Sequence, residues 1–424
     1  MALSVIRSAR GIVRPSEATP SGTLDLSVID RLPVLRCNVR TLHVFGHGVE
    51  AAKVIKEALS KALVHYYPLA GRLKGRSQSE LQIECSAEGV WFVEASANCS
   101  LDTVKYFDDV LLVPYDELLP DYPSESYAID PLVLMQVTRF TCDGFVIGLI
   151  FCHSICDGLG AAQFLNAVSE FARGLPHPSI MPVWHREALP SPPQQLAGVI
   201  GEPKLPPPLP PMPDYQLEHA SIDISLDRIN EFKSEFLELT GRPCSTFEIV
   251  AAMIWSHRTR VINLDKDTDV KLVFFANGRQ IPQPPLPEGF YGNCFFPVTV
   301  TVSSGTLVQA SNVEVVKLIQ DAKAKLPIEF ATWIKGDGVD GVDPFAPPLI
   351  YTTLFISEWG HLGFNQIDYG WGTPVHIVPI QGSAIIPVGI VGSPPTPKKG
   401  VRLMTWCVEG AHLSALLDQM MNLT

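Results

Sequence analysis

Charge is scarce in this chain, and what there is leans acidic. Charged residues make up 18% of its 424 positions, and the formal net charge is −12. A diffuse acidic surface repels nucleic acid and anionic membranes, so neither is an expected partner. An anionic ligand would need a local basic pocket or a helix amino-terminus. Long apolar runs are missing as well: none approaches the ~18–20 residues of a membrane span. The nine cysteines, an odd number, form no CxxC pair. That argues against a disulfide framework and for reduced, mostly buried thiols in a cytoplasmic protein. No G-x-S-x-G elbow marks a serine hydrolase, and no repeat of fixed period exists. The segment Met1–Arg14 carries Arg7, Arg10 and Arg14 but no apolar stretch of signal-peptide length. It reads as an opening strand over Ser4–Val13, with a weakly amphipathic targeting segment as the alternative.

Proline is what the chain has in quantity, 37 in all, eleven of them between Pro182 and Pro213. That stretch has almost no periodicity and reads as an extended, semi-rigid connector. A chain this long exceeds the ~250–300 residues at which a single core stops growing. The expected division is therefore residues 1–181, a crossover at 182–215, and residues 216–424.

Apolar residues at helical spacing predict a helix over Glu50–His65, ended by Tyr66-Tyr67-Pro68. Strand-like runs fall at Leu81–Cys85, Val90–Val93, Val133–Phe140 and Phe145–Cys152, and a helix follows from about Gly160 to Arg173. The second half shows strands at Ala220–Ile224, Lys271–Ala276, Cys294–Val302, Tyr351–Ile356, Val375–Ile380, Ala384–Val391 and Val401–Val408. Helices are expected after Ser225, after the capping-box spacing Ser245 to Glu248, at Asn312–Lys325 and at Ala411–Met421. Strands alternating with helices in both halves read as α/β with mixed sheets.

The chemistry-bearing stretch is His153-Ser154-Ile155-Cys156-Asp157-Gly158, directly after the uninterrupted apolar run Phe145–Cys152. A histidine at the end of an interior strand is placed to move a proton at neutral pH. A lone histidine beside an apolar strand is more often structural, and only the carboxylate four residues on favours a site. Gly158 and Gly160 would leave room for a ligand near the backbone. His153 and Asp157 on one helix face could ligate zinc, but the glycines point to a turn and no third ligand recurs at suitable spacing. Ser154 is too close in sequence to be activated by His153, and Cys152 and Cys156 read as small apolar filler. Asp368-Tyr369-Gly370-Trp371-Gly372 is either a tight turn with a core tryptophan or a ligand-gripping loop. Asn277-Gly278-Arg279 is a turn after a strand.

These segments together resemble the plant BAHD acyltransferases, which are acyl-CoA-dependent enzymes. HxxxDG stands at His153–Gly158, and the family's DFGWG stands at Asp368–Gly372 with tyrosine for phenylalanine. Tyr66–Arg72 (YYPLAGR), Asn277-Gly278-Arg279 and Phe290-Tyr291-Gly292-Asn293 match further signatures in order, over essentially the whole chain. Arg14-Pro15-Ser16, Ala18-Thr19-Pro20 and Phe290–Thr299 look most like the alcohol acyltransferases, a group with benzyl alcohol benzoyltransferases and hydroxycinnamoyl-CoA:monolignol transferases.

The resemblance implies two similar domains of mixed sheet and helices, as in chloramphenicol acetyltransferase, joined by a long crossover. A segment near 366–392 would complete the first domain's sheet. A channel between the domains would admit acyl-CoA at one mouth and a small alcohol at the other, the loop after Asp30, with Arg36 and Cys37, lying at the acceptor mouth. His153 would be the general base. Asp157 would pair with Arg279 to hold the shape of the site, supported by Asn277 and Gly158. Ser245, Thr246, Trp371 and Gly372 would lie on the coenzyme side, and Asp368, a structural residue distant from His153, belongs with them. The oxyanion donor stays open between the Trp371 indole, a nearby hydroxyl and a backbone N–H. No metal and no permanently bound cofactor is implied, and the protein would be a cytoplasmic monomer. An amide-forming relative and a non-catalytic ligand-binding relative remain as alternatives.

Overall fold

The structure, a computed structural model, describes residues 3–75, 80–109, 114–123, 130–189, 215–335, 343–380, 382 and 385–421. Its strands in chain order are β1 (Val5–Val13), β2 (Thr23–Asp25), β3 (Asn38–Phe45), β4 (Arg72–Lys74), β5 (Gln82–Glu84), β6 (Val90–Ala97), β7 (Val133–Arg139), β8 (Phe145–Cys152), β9 (Leu217–Ile224), β10 (Asp269–Asn277), β11 (Phe295–Ser303), β12 (Thr353–Glu358), β13 (His376–Pro379), β14 (Val388–Gly392) and β15 (Val401–Glu409). The helices are α1 (Ala51–His65), α2 (Gly158–Ala172), α3 (Leu226–Thr240), α4 (Thr246–Ile262), α5 (Ser304–Gln309), α6 (Asn312–Lys335) and α7 (Gly410–Met421).

Two six-stranded sheets result, in the orders β1-β6-β7-β8-β3-β13 and β11-β10-β12-β14-β15-β9, beside a small sheet β2-β5-β4. Both large sheets are mixed. Only β6–β7 runs parallel in the first, while β10–β12 and β12–β14 run parallel in the second. Helices α1 and α2 pack on one face of the first sheet, burying Ile55, Leu59, Phe164 and Leu165 against Met135 and Phe151. Helices α3, α4, α6 and α7 cover one face of the second. The opposite faces of the sheets meet: Met404 of β15 shares a cluster with Leu42, Val44 and Val378 of the first. The chain is therefore two mixed-sheet domains flanked by helices.

Every residue of β8 is buried, which suits a strand with neighbours on both edges and side chains packed on both faces. Its partner β3 is a strand that apolar patterning does not reveal. Thr41 and His43 point inward there as polar residues, and the hydroxyl of Thr41 and Nε2 of His43 satisfy each other at 2.9 Å. The return to the first sheet is made by β13, antiparallel to β3. Val388–Gly392 is a strand of the second sheet, so the segment expected to complete the first sheet is shorter than 366–392. Helix α6 runs ten residues past the expected end at Lys325, through Pro327, because Phe330 and Trp333 are buried and anchor its far half. Residues 190–214 of the expected crossover lie outside the described residues. Among those described, no helix is long and apolar enough to cross a membrane.

Candidate active site

Strand β8 delivers His153 to the joint between the two domains. Its backbone N–H donates to the Cys37 carbonyl at 2.9 Å, just before β3 begins. Its carbonyl accepts from the Asn293 side-chain amide at 2.8 Å, and the buried Ser154 hydroxyl donates to the Leu35 carbonyl. The imidazole is half-buried and faces Phe295 of the second domain at a centroid spacing of 6.3 Å. Its Nδ1 is buried without a partner among the described residues, so Nε2 is the nitrogen directed to open space.

Asp157 caps helix α2, accepting from Gly160 N–H at 3.0 Å. Both of its carboxylate oxygens also meet Arg279 at 2.8 Å, in the fork geometry that guanidinium favours, and one accepts from Cys294 N–H. Burial pushes the carboxyl pKa up, but Arg279 and the two amides together outweigh it and hold it below the ordinary 3.8. Asn277 accepts from the Arg279 backbone N–H at 3.1 Å and orients its guanidinium, which also donates to the Gly292 carbonyl at 2.7 Å. His153, Asp157, Asn277 and Arg279 are thus brought together across the domain joint.

The glycines of the turn serve packing. A Cβ at Gly160 would stand 2.0 Å from the Tyr291 carbonyl oxygen, and one at Gly158 would stand 2.6 Å from Leu362. The room expected there for a ligand is occupied by protein.

Asp157→Asn keeps the shape and removes the charge, leaving a largely buried guanidinium unpaired. The expected loss is about 3–5 kcal/mol of stability, with activity falling alongside. The pair's contribution is complete above pH 3.8, the ordinary carboxyl value, and is lost as pH falls through the lower folded pKa. Denaturant curves of wild type and variant should therefore converge in strong acid. An unchanged midpoint at pH 7 would contradict the pair's role.

Three residues complete the support, and two of them the sequence reading passed over. Arg186 lies in the proline-rich stretch yet its side chain is 1% exposed, and that of Asp30 is 0% exposed. Arg186 Nε lies 2.8 Å from Asp30 Oδ2, an ion-pair contact whose angle is poor for a hydrogen bond. Its Nη2 donates to the Ile155 carbonyl at 2.6 Å, inside the turn that carries His153. The guanidinium is also packed among Trp184, Phe290 and Tyr291, with centroids at 4.1, 5.1 and 5.0 Å. Asp30 accepts from both the backbone and side-chain amides of Asn293, whose side chain then holds the His153 carbonyl. The only local signal was a tryptophan and an arginine inside an otherwise non-periodic proline stretch.

The Asp368–Gly372 turn is elsewhere. Asp368 Oδ1 accepts from Gly370 and Gly372 N–H at 2.7 and 2.9 Å, which folds the turn on itself. Trp371 lies edge-on to Phe145, at the start of β8. Phe145 and His153 are eight residues apart along an extended chain, about 26 Å at roughly 3.3 Å per residue. The indole is therefore beyond hydrogen-bond reach of His153 and of any group reacting beside it, which removes Trp371 from the oxyanion candidates. Tyr369, standing where the family has phenylalanine, is 2% exposed and its hydroxyl finds no partner among the described residues. Burial raises its pKa accordingly. Tyr369→Phe is expected to stabilise the protein by about 1 kcal/mol; a lowered melting temperature would refute this.

Ser245 and Thr246 open helix α4 on the helix-covered side of the second sheet. Ser245 forms a reciprocal capping box with Glu248, and the Glu248 carboxylate also binds Gln320 and Lys323. That helix start already carries its own anion.

All nine cysteines are free thiols. Burial pushes Cys152 up to about 12 and raises Cys156 well above its ordinary value, which leaves neither a competent nucleophile near His153. A cleft of about 710 Å³ opens between α2, the 286–290 segment and Leu362–Gln366. Arg279 is in its wall and His153 is not.

Comparison with known proteins places this geometry. The family model described as Transferase family matches residues 3–416. The chain is 46% identical to Acyl transferase 4 of Oryza sativa subsp. japonica, covering 99% of each chain. It is 40% identical to a myricetin 3-O-glucosyl 1,2-rhamnoside 6'-O-caffeoyltransferase, AT2, of Crocosmia x crocosmiiflora, covering 100% of each. Its fold matches F. graminearum TRI101, solved with coenzyme A and T-2 mycotoxin, at a TM-score of 0.73 and 14% identity, over 93% of this chain and 96% of that one. The chain belongs to the Transferase family, the BAHD acyltransferases, and is an acyltransferase.

Proposed function

We propose that the protein transfers an acyl group, an aromatic one in the first instance, from coenzyme A to the hydroxyl of a small alcohol, with His153 as the general base. The observation that carries this reading is a half-buried imidazole at the domain joint, with Nε2 open and its backbone N–H and carbonyl both held by hydrogen bonds. An alcohol is a poor nucleophile near neutral pH. Nε2 takes its proton as the oxygen attacks the thioester carbonyl. The tetrahedral intermediate then collapses, the carbon–sulfur bond breaks, and the imidazolium returns the proton to the departing thiolate. General-base help of this kind contributes about 10²–10⁴-fold, and orientation of both substrates in one joint adds a further large factor. A backbone N–H or hydroxyl near His153 is left as the oxyanion donor.

Coenzyme A is supported as co-substrate by its presence in the TRI101 structure, and an aromatic acyl group by the caffeoyltransferase relative. Asp157, Arg279 and Asn277 act as positioning residues. Ser245, Thr246, Trp371 and Gly372 lie on the coenzyme side in this reading, and Asp368 serves there through the turn it folds. Nine unpaired thiols suit the reducing cytoplasm. The test is release of free thiol from benzoyl-, hydroxycinnamoyl- and aliphatic acyl-CoAs with benzyl, hydroxycinnamyl and aliphatic alcohols. Thiol release that depends on the alcohol, with ester as product, is the expected result. No release with any pair would refute the reading.

A further inference from the structure

The face of the second sheet turned away from its helices is aromatic where it passes His153. Strand register fixes which side chains share that face. In the antiparallel β10–β11 pair, Asn277 stands opposite Phe295 and Phe275 opposite Pro297. These four residues therefore point the same way, while Phe274, Leu272 and Val298 point into the core under the helices. The Phe275 ring meets the Phe295 ring edge-on at 5.4 Å, and Phe295 lies 6.3 Å from the imidazole of His153. Phe275 is thus no farther from His153 than those two spacings combined. It is also 45% exposed.

A singly exposed phenylalanine is ordinary on a protein surface. This one continues a ring-to-ring row that starts at the candidate base. Phe345 also meets Phe295, at a centroid spacing of 6.1 Å, and is itself packed on Phe296 and Trp333. Edge-to-face and offset contacts between rings are favourable at centroid spacings of about 4.5–7 Å, and Phe275 has ring surface uncovered by protein.

Building on the acyl-transfer reading above, we propose that Phe275 and Phe295 form a shelf that selects a planar aromatic ring on one of the two substrates. The ring could be that of the acyl donor or of the acceptor alcohol; the same chemistry recognises either. The carbonyl that reacts must lie beside His153. A ring attached directly to it, or through a short rigid linker, reaches the shelf without bending. An aliphatic chain there gains contact area but no ring-to-ring geometry.

The experiment crosses donors with acceptors: hydroxycinnamoyl-CoA against hexanoyl-CoA, and benzyl alcohol against 1-hexanol. Wild type is compared with Phe275→Ala and with Phe275→Leu, which keeps the apolar bulk and loses the ring. The ratio of kcat/KM for the aromatic partner to that for its aliphatic counterpart should fall about tenfold in Phe275→Ala and nearly as far in Phe275→Leu. Whether the donor ratio or the acceptor ratio falls identifies which substrate carries the selected ring. If neither ratio moves, or Phe275→Leu matches wild type, the shelf is refuted while acyl transfer stands. If wild type releases no thiol from any pair, acyl transfer fails. Calorimetric titration with hydroxycinnamoyl-CoA and benzyl alcohol then reads the shelf on its own: binding weakened about tenfold by Phe275→Ala supports it, and unchanged binding overturns it.

Discussion

His153→Ala should lose most of its ester-forming activity and leave the protein folded. The imidazole is half-buried and makes no side-chain hydrogen bond, so its removal costs the contact with Phe295 and little else. What holds the turn is backbone, namely the N–H to Cys37 and the carbonyl to Asn293, and both survive in alanine. The expected stability loss is about 1 kcal/mol or less. The expected loss of kcat is about 10²–10⁴-fold, the contribution of a positioned base. Other histidines make the contrast. His43 is buried on the helix-covered face of the first sheet, edge-on to Phe364, and burial holds its pKa down to about 3. His376 is held down to about 4, chiefly by burial. Both stay neutral at any physiological pH, and each has one ring nitrogen committed to a neighbour. A well-folded His153→Ala enzyme with wild-type turnover would remove the general base from the mechanism.

The parts of this site that could be read from sequence are those specified locally. Eight consecutive apolar residues identify β8 because a strand buried on both faces has no polar positions to interrupt it. Asp157 at the end of the turn is both a cap for α2 and the visible half of the Arg279 pair. Strand β3 was hidden because its alternation, Thr41-Leu42-His43-Val44, is short and follows the polar Asn38 and Arg40, and because the burial of Thr41 and His43 depends on their mutual hydrogen bond, which composition does not show. Helix α6 was cut short because Pro327 is a local breaker, while the anchoring of Phe330 and Trp333 is tertiary. The Asp368–Gly372 motif was legible as a turn. Its distance from His153 was not, since only the packing of Trp371 on Phe145 shows which end of β8 it serves. Asp30 and Arg186 are separated by 156 positions, and nothing near either one announces the other.

That long-range pair carries a stability effect as large as that of the Asp157–Arg279 pair. Arg186→Ala removes the cation facing Asp30, the donor to Ile155 and the body packed among three aromatic rings. The Asp30 carboxylate then stays buried with only neutral donors, Ser27 and Asn293. Breaking one side of such a pair costs about 3–5 kcal/mol, because the remaining charge has lost its compensation. The loss should appear as a lowered denaturant midpoint. Activity should fall too, since the turn that positions His153 loses its hold through Ile155. Arg186→Met restores the bulk without the charge, so Arg186→Met alone should remain strongly destabilised. Adding Asp30→Asn removes the orphaned charge while keeping an oxygen for Asn293, and the double variant should recover more than half of the lost stability. Additive losses in the double variant would show that the two side chains are not energetically coupled, and the crossover would then be held to the His153 turn by aromatic packing alone.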